Sequence, residues 1–208
     1  MNRVEIKEWA KEKIKGNLWN ILIGLLIMMA VSFVFSFGLG FIQAIFGNDS
    51  FITSIVSIVV EVLLIPLGIG LYSYLVEFIN NDNFDKNLLF EPYERTVNVI
   101  GTSLLVSLLV MVGCICFIIP GIYLAFSYAM VPYLLATRKD LTVTETLELS
   151  RKMMNGHKFD YFVLSLSFIG WAILVPFTLG ILLIWLYPYM MTATTKFFMD
   201  IEQKYTED

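Results

Sequence analysis

The chain has 208 residues, of which 58% are hydrophobic and 15% charged, and its mean hydropathy is +0.75. Soluble domains carry about 25% charged residues, so this composition excludes an ordinary soluble domain and predicts an all-α polytopic membrane bundle in a single domain, 1–208. The net charge of −4 argues against nucleic acid as a partner, because phosphate binding requires a concentrated basic surface.

Four apolar blocks follow one another along the chain, at 18–46, 51–78, 97–136 and 161–199. A helix of forty residues would be about 60 Å long, twice the thickness of a bilayer's hydrocarbon core. The last two blocks should therefore fold back, and Pro120-Gly121 and the segment 176–180 supply helix-stopping residues midway through each. The sequence thus predicts six spans in three hairpins: 18–46, 51–78, 97–119, 121–136, 160–176 and 180–199.

The basic residues give the predicted orientation. All 14 Lys and Arg residues lie before span one, after spans two and four, or at the C-terminal end, and the intervening turns contain none. Short loops rich in Lys and Arg stay in the cytoplasm. We therefore expect both termini to be cytoplasmic.

The segments between the hairpins complete the predicted organisation. In the first, Ile6, Trp9, Ala10 and Ile14 recur at helical spacing opposite lysines, which is typical of a helix in the headgroup plane. The later segment opens with a capping-box pattern at 142–145, and it is either another interfacial helix or a docking or gating element. The predicted parts are an interfacial helix 1–17, hairpin 18–78, cytoplasmic loop 79–96, hairpin 97–136, cytoplasmic helix 137–159, hairpin 160–199 and tail 200–208. A three-fold duplication of this unit is a further hypothesis.

Glu61 is the one charged residue deep within a predicted span. It lies about 15 Å along the helix from Phe51, where a charge costs at least about 2.5–3.5 kcal/mol unless it is protonated, paired or wetted. Ser54 and Ser57 precede it on the same helical face, which we expect to point into the bundle. Two interpretations are open: a proton, cation or headgroup site, or a protonated carboxyl that holds helices together.

Small residues and helix breakers mark further candidate positions. Ser32, Ser36, Gly40 and Ala44 repeat every four residues, a pattern that favours close helix packing over a conduction path and that also suits an oligomer contact. Breaks within helices form substrate sites in many transporters, but proline kinks are equally common as plain architecture. The candidate breaks or hinges are Pro66, Gly68, Pro120, Gly121, Gly180 and Pro188.

Motifs for enzymatic chemistry are missing from the sequence. There is no Gly-rich phosphate loop, paired-histidine zinc motif or serine nucleophile elbow. Cys114 and Cys116 suit neither a zinc site nor a disulfide framework and are interpreted as buried thiols. His157 has no second ligand nearby. We therefore expect no enzyme activity, no cofactor and no metal.

Several short motifs follow one another closely in the C-terminal third. They are Ser150-Arg151-Lys152-Met153-Met154-Asn155-Gly156-His157-Lys158, Leu166-Ser167-Phe168-Ile169-Gly170-Trp171, Thr178-Leu179-Gly180-Ile181, Trp185 and Pro188-Tyr189. With Lys15-Gly16-Asn17 near the N-terminus, they resemble the bacterial integral membrane family known as domain of unknown function 975. Asn155 departs from the family pattern, where lysine is more usual. The resemblance implies a protein of the bacterial cytoplasmic membrane, and it implies no activity.

Three functions are compatible with these features. The first is a non-enzymatic accessory, resistance or immunity-type factor that recognises a lipid, peptide or amphipathic solute. The second is a small secondary transporter that uses Glu61, and the third is a structural subunit of a membrane complex. Membrane lipids are the expected partners, with a homo-oligomer or other membrane proteins left open.

Overall fold

A computed structural model describes residues 3–48 and 50–207, with the side chain of residue 207 excepted. The ends of the predicted segments 1–17 and 200–208, and Asp49 in the first turn, lie outside it. The α-helices in this part of the chain are α1 Arg3–Ile14, α2 Leu18–Phe46, α3 Phe51–Asn81, α4 Thr96–Cys116, α5 Ile118–Ser127, α6 Val131–Thr137, α7 Val143–Met153, α8 Lys158–Leu174 and α9 Leu183–Glu207. Short 3₁₀ turns at Lys86–Leu89, Glu91–Arg95 and Pro176–Thr178 connect them.

The all-helical prediction is confirmed for the described residues. Four segments are long and apolar enough to cross a membrane: Leu18–Phe46, Phe51–Asn81, Lys86–Cys116 and Ile118–Thr137. Of the two remaining predicted spans, α8 has only 17 residues and α9 carries Lys196 and Asp200 in its second half. The count of six spans in three hairpins therefore stays a prediction.

Buried side chains are concentrated at one end of the molecule. We call this part the base; its core contains Tyr74, Phe78, Phe197 and Phe198, each at most 1% exposed. Three helical tips extend from the base: tip 1 (26–65), tip 2 (103–126) and tip 3 (169–185). Among the described residues of the tips only Thr53, Gly113 and Gly121 are buried. The apolar surface of the tips therefore has no cover within this chain.

The reversal in tip 2 lies three residues earlier than the sequence predicted. Phe117 separates α4 from α5 in an extended conformation, with φ −160° and ψ 141°. Pro120 lies in the first turn of α5, where a helix needs no N–H donor. Gly121 instead allows α5 to approach α4. The prediction of a turn at Pro120-Gly121 is therefore corrected to a turn at Phe117.

Helix α1 is part of the base. Ile6, Ala10 and Ile14 are buried, and α1 packs along α9. The Lys13 ammonium pairs with Asp82 at the end of α3, 2.6 Å away. The apolar face of α1 is thus covered by the chain itself, in contrast to the expectation that it lies against lipid.

Helices α1 and α7 enter the following hairpins in the same way. Gly16 (φ 91°) lies between α1 and α2, and Gly156 (φ 85°) lies between α7 and α8. Counted back from these glycines, Ile6, Ala10 and Ile14 correspond to Thr146, Ser150 and Met154, and all six residues are buried. The segment before α4 is different, because it consists of 3₁₀ turns. The structure therefore contains two copies of a local motif.

Candidate functional site

Side-chain caps fix the turn that joins α2 to α3 in tip 1. The Ser50 hydroxyl accepts a hydrogen bond from the Thr53 N–H at 3.1 Å, as expected for a helix N-cap. The Thr53 hydroxyl donates to the carbonyl oxygen of Gly47 at 2.8 Å, and Thr53 is the buried residue of this tip. These bonds define the end of the hairpin from which positions along both helices can be counted.

Glu61 lies on the exposed surface of α3, and no hydrogen bond or ion pair joins it to the described residues. Ser54 is exposed too, and its hydroxyl donates to the carbonyl oxygen of Ser50 at 3.2 Å. The half-buried Ser57 donates to the carbonyl oxygen of Thr53 at 2.8 Å. The expectation that this face points into the bundle is wrong for Ser54 and Glu61, which are exposed beside the contact of α3 with α2.

The small residues of α2 are also largely uncovered. Ser36, Gly40 and Ala44 are exposed and Ser32 is half-buried, while a Cβ added to Gly40 would have no neighbour within 4 Å. Ser36 and Gly40 line an apolar groove of about 490 Å³ with Phe33, Phe37 and Phe41. The prediction that this stripe packs closely against another helix of the same chain is therefore wrong.

Glu61 and Ser36 occupy the same face of tip 1. The half-buried positions that mark where each helix faces the other include Phe35 on α2 and Val60 on α3. Ser36 and Glu61 each follow such a position by one residue, a rotation of about 100°. Two antiparallel helices are related by a two-fold axis perpendicular to the plane of the hairpin. Residues that are rotated by the same angle from the contact line of their own helix therefore lie on the same side of that plane. We call this surface, with Ser36, Gly40, Ser57 and Glu61, the tip 1 face.

The two residues also lie at the same height. Ser36 comes ten residues before Phe46, the last residue of α2, and Glu61 comes ten residues after Phe51, the first residue of α3. Ten residues of helix correspond to about 15 Å. A carboxyl group and a hydroxyl group thus lie at equal depth on one surface.

The candidate hinges are distributed between helices and turns. Pro66 and Gly68 lie inside an uninterrupted α3, and Pro188 lies inside α9. Gly180, at φ 83°, lies in the turn of tip 3. Pro66 has no N–H for the carbonyl group one turn earlier, and close by the Tyr93 hydroxyl donates to the carbonyl oxygen of Leu63 at 2.8 Å. The structure therefore shows no break in α3 that opens a site.

A basic cleft between α5 and the α7–α8 linker was not predicted from the sequence. It has a volume of about 310 Å³ and is lined by Tyr123, Glu148, Arg151, Lys152, Asn155 and Lys158. The Lys158 ammonium lies 3.5 Å from the centroid of the Tyr123 ring. The run 150–158 carries the family resemblance and basic side chains, but no sequence signal joins it to Tyr123, which lies in another helix.

One ion pair spans one side of the cleft. Lys152 Nζ lies 2.7 Å from Glu148 Oε1. The hydrogen bond from Lys152 and its charge hold the pKa of the Glu148 carboxyl below its ordinary value, and the same contact raises the pKa of Lys152. Arg151 makes no hydrogen bond or ion pair with the part of the chain that the structure describes.

Residues of metal-binding type are dispersed. Among residues 3–48 and 50–207 no group of three His, Cys, Asp or Glu side chains could hold a metal ion. His157 Nδ1 lies 3.5 Å from Asp160 Oδ2. Cys114 and Cys116 are exposed free thiols of tip 2, so their interpretation as buried residues is wrong.

Comparison with known proteins identifies a family. The family model described as "Protein of unknown function (DUF975)" matches residues 93–205. This range includes α4 to α9 apart from the last residues, and with them the basic cleft. No curated protein matches the chain, and no solved structure does.

Proposed function

Because the chain belongs to the family described as protein of unknown function (DUF975), which carries no activity with it, we propose a function from the geometry: a non-enzymatic integral membrane protein that acts by associating with a partner inside the bilayer. It is an accessory or structural subunit, and the tip 1 face is its contact surface. The observation that carries the proposal is the unpaired, exposed carboxyl group of Glu61, about 15 Å from the hairpin turn.

A carboxyl group in that position requires a partner. In hydrocarbon the charged form costs at least about 2.5–3.5 kcal/mol, and the neutral form still needs a hydrogen-bond acceptor. No described residue of this chain supplies one. A helix of another chain that packs across the tip 1 face, beside Gly40, would supply it.

The partner that fits these features is a second copy of the chain. A two-fold axis along the membrane normal does not change the depth of any residue in the bilayer. Because Glu61 and Ser36 have equal depths, Glu61 of each copy lies level with Ser36 of the other, so the contact forms twice per dimer. The protonated carboxyl then donates to the Ser36 hydroxyl, and the exposed glycine allows close approach of the backbones. The surface is thus complementary to itself in depth and in hydrogen bonding.

Cross-linking between tagged copies tests this contact. In a background with Cys114 and Cys116 replaced by alanine, chains with S36C and chains with E61C are reconstituted together in vesicles. We expect a mixed disulfide. The matched control is the pair G38C and V59C, which lie eight residues from the hairpin end of their helices, and therefore level with each other, on the opposite face of tip 1. Equal cross-linking of both pairs contradicts the proposed contact. Cross-linking of neither pair, with a single chain in each nanodisc, contradicts the dimer.

Substitution of Glu61 tests the hydrogen bond. Interhelical hydrogen bonds in membranes contribute about 0.6 kcal/mol on average and at most about 1.7. Because the dimer contains two such bonds, Glu61→Leu should raise the dimer dissociation constant about 8- to 300-fold. Glu61→Gln keeps a donor and should change it less. The transporter alternative makes a different prediction: a pH-driven solute flux in proteoliposomes that Glu61→Gln abolishes would contradict an accessory role.

The membrane arrangement is part of the same proposal. Four long apolar segments support insertion, and the apolar tip 3 supports two further crossings by α8 and α9. We place the chain in the bacterial plasma membrane with both termini in the cytoplasm, in keeping with the distribution of its basic residues. Labelling of a cysteine placed at residue 139 by a membrane-impermeant reagent in intact cells would contradict this orientation.

A further inference from the structure

The basic cleft between α5 and the α7–α8 linker lies on a different surface from the tip 1 face. We propose that it binds the phosphate group of an anionic phospholipid, with the headgroup in the cleft and the acyl chains against tip 2 and the start of α8. This inference does not depend on self-association.

The charges in the cleft favour an anion. Arg151, Lys152 and Lys158 contribute three positive charges and Glu148 one negative charge, which leaves two in excess. The carboxylate of Glu148 is engaged with Lys152 at 2.7 Å, whereas Arg151 has no partner among the described residues. A guanidinium group with free N–H donors is well suited to hold a phosphate through two parallel hydrogen bonds.

A neutral hydrogen-bond donor and a lysine that lies over an aromatic ring complete the site. The Asn155 side chain lines the cleft and can donate a hydrogen bond to an ester oxygen. Lys158 is the first residue of α8, so the N-terminal end of a 17-residue helix, which favours negative charge, adjoins the cavity. The Lys158 ammonium lies 3.5 Å from the centroid of the Tyr123 ring, and this contact stabilises the cation beside the cleft.

The surroundings of the cleft favour a lipid over a soluble phosphate. The rings of Phe126 and Phe162 meet edge to face with centroids 5.8 Å apart, and the Phe159 ring is tilted against Phe162 with centroids 6.1 Å apart. Ile122, on the α5 side, is 48% exposed. Apolar surface that continues from a cluster of cations matches an amphiphile with an anionic head, and basic pockets between transmembrane helices are known sites for such headgroups.

The size of the cavity agrees with a headgroup. Its volume of about 310 Å³ corresponds to about ten waters at 30 Å³ each. It is open to one side rather than enclosed, so a headgroup can enter laterally from the surrounding membrane.

Native mass spectrometry of the full chain in detergent tests the proposal, with dioleoylphosphatidylglycerol, dioleoylphosphatidylcholine and inorganic phosphate titrated separately. We expect phosphatidylglycerol to bind at least about 10-fold more tightly than phosphatidylcholine, because its net charge is not cancelled by a cationic headgroup. Inorganic phosphate should bind more weakly than phosphatidylglycerol. Equal affinity for the two lipids, or tighter binding of inorganic phosphate, overturns the proposal.

Two double variants distinguish binding in the cleft from general attraction of the lipid to the net charge of the protein. R151Q/K158Q should reduce the preference for phosphatidylglycerol about 10-fold or more, as expected for two lost cations. K11Q/K86Q removes the same charge from exposed positions outside the cleft and should leave the preference unchanged. An equal loss in both pairs overturns the proposal in favour of general electrostatic attraction.

A third variant keeps the proposal testable if R151Q/K158Q does not fold. Asn155→Leu blocks the cleft without changing charge, and it should lower affinity for phosphatidylglycerol while the melting temperature stays near that of the parent. If R151Q/K158Q does not fold, Asn155→Leu decides the test. Unchanged affinity of Asn155→Leu for phosphatidylglycerol then overturns the proposal.

Discussion

Gly121 in α5 lies against the backbone of Cys114 in α4. A Cβ atom added to Gly121 would stand 2.7 Å from the Cys114 nitrogen and 2.8 Å from its Cα atom. Gly113 lies in the same contact, because a Cβ there would be 3.0 Å from the Gly121 Cα atom. The two helices of tip 2 therefore touch through backbone atoms, which is how small residues allow close packing.

Replacing Gly121 with alanine should therefore separate α4 from α5. The neighbour is backbone and cannot move aside, so we expect a loss of about 1–3 kcal/mol in the free energy of unfolding. Thermal unfolding in detergent measures it. Gly170→Ala is the control: this helical glycine has nothing within 4 Å of an added Cβ, so alanine should be neutral or stabilise by up to about 1 kcal/mol. Similar melting temperatures for both variants would contradict this contact.

The linker glycines should behave alike. Gly16 and Gly156 both adopt φ values near 90°, a left-handed conformation that costs other residues about 1–2 kcal/mol. Gly16→Ala and Gly156→Ala should each lower the free energy of unfolding by that amount, measured by denaturant titration. Gly38→Ala, in the middle of α2 with open space around it, should not. A large effect at only one linker would argue against two equivalent motifs.

Glu202 ties α9 to α6 through two donors. The Tyr133 hydroxyl donates to Glu202 Oε2 at 2.6 Å, and Arg138 Nε donates to Oε1 at 2.8 Å. The part-buried bond from Tyr133 to the charged carboxylate contributes about 1.5–3 kcal/mol, and the exposed pair with Arg138 adds little. Glu202→Ala should therefore lower the free energy of unfolding by about 1.5–3 kcal/mol. A double-mutant cycle with Tyr133→Phe checks the assignment, since purely additive losses would mean that the hydroxyl and the carboxylate are not coupled.

The capping box of α7 predicts a pH dependence. The hydroxyl and then the backbone N–H of Thr142 donate to the Glu145 carboxylate, and they lower the pKa of Glu145 below 4.5. A lowered pKa in the folded state means that the contribution to stability is present above pH 4.5 and is lost as the pH falls through the folded-state pKa. The difference in melting temperature between the parent and Glu145→Gln should therefore shrink on acidification. A constant difference from pH 7 to pH 3 would contradict this.

The candidate sites show where sequence patterns stop being informative. Helical spacing correctly grouped Ser54, Ser57 and Glu61 on one face of α3, because their order along one helix decides that. Which way this face points depends on the position of α2, and in the structure Glu61 is exposed. For the same reason the basic cleft could not be predicted: Tyr123 and Lys158 are 35 positions apart, and only the packing of α5 beside the α7–α8 linker brings them together.

By itself the sequence determined that the chain is helical and apolar, where α2 begins and ends, and that Thr142 and Glu145 cap α7. These features depend on composition and on contacts within a few residues. The tertiary structure alone decided that the face of α1 is covered by the base, that the chain turns at Phe117, and that Glu61 and the small residues of α2 face outward together. Such features depend on which helices are neighbours, and hydrophobic burial, which is non-directional, does not encode the choice of neighbour in any local pattern.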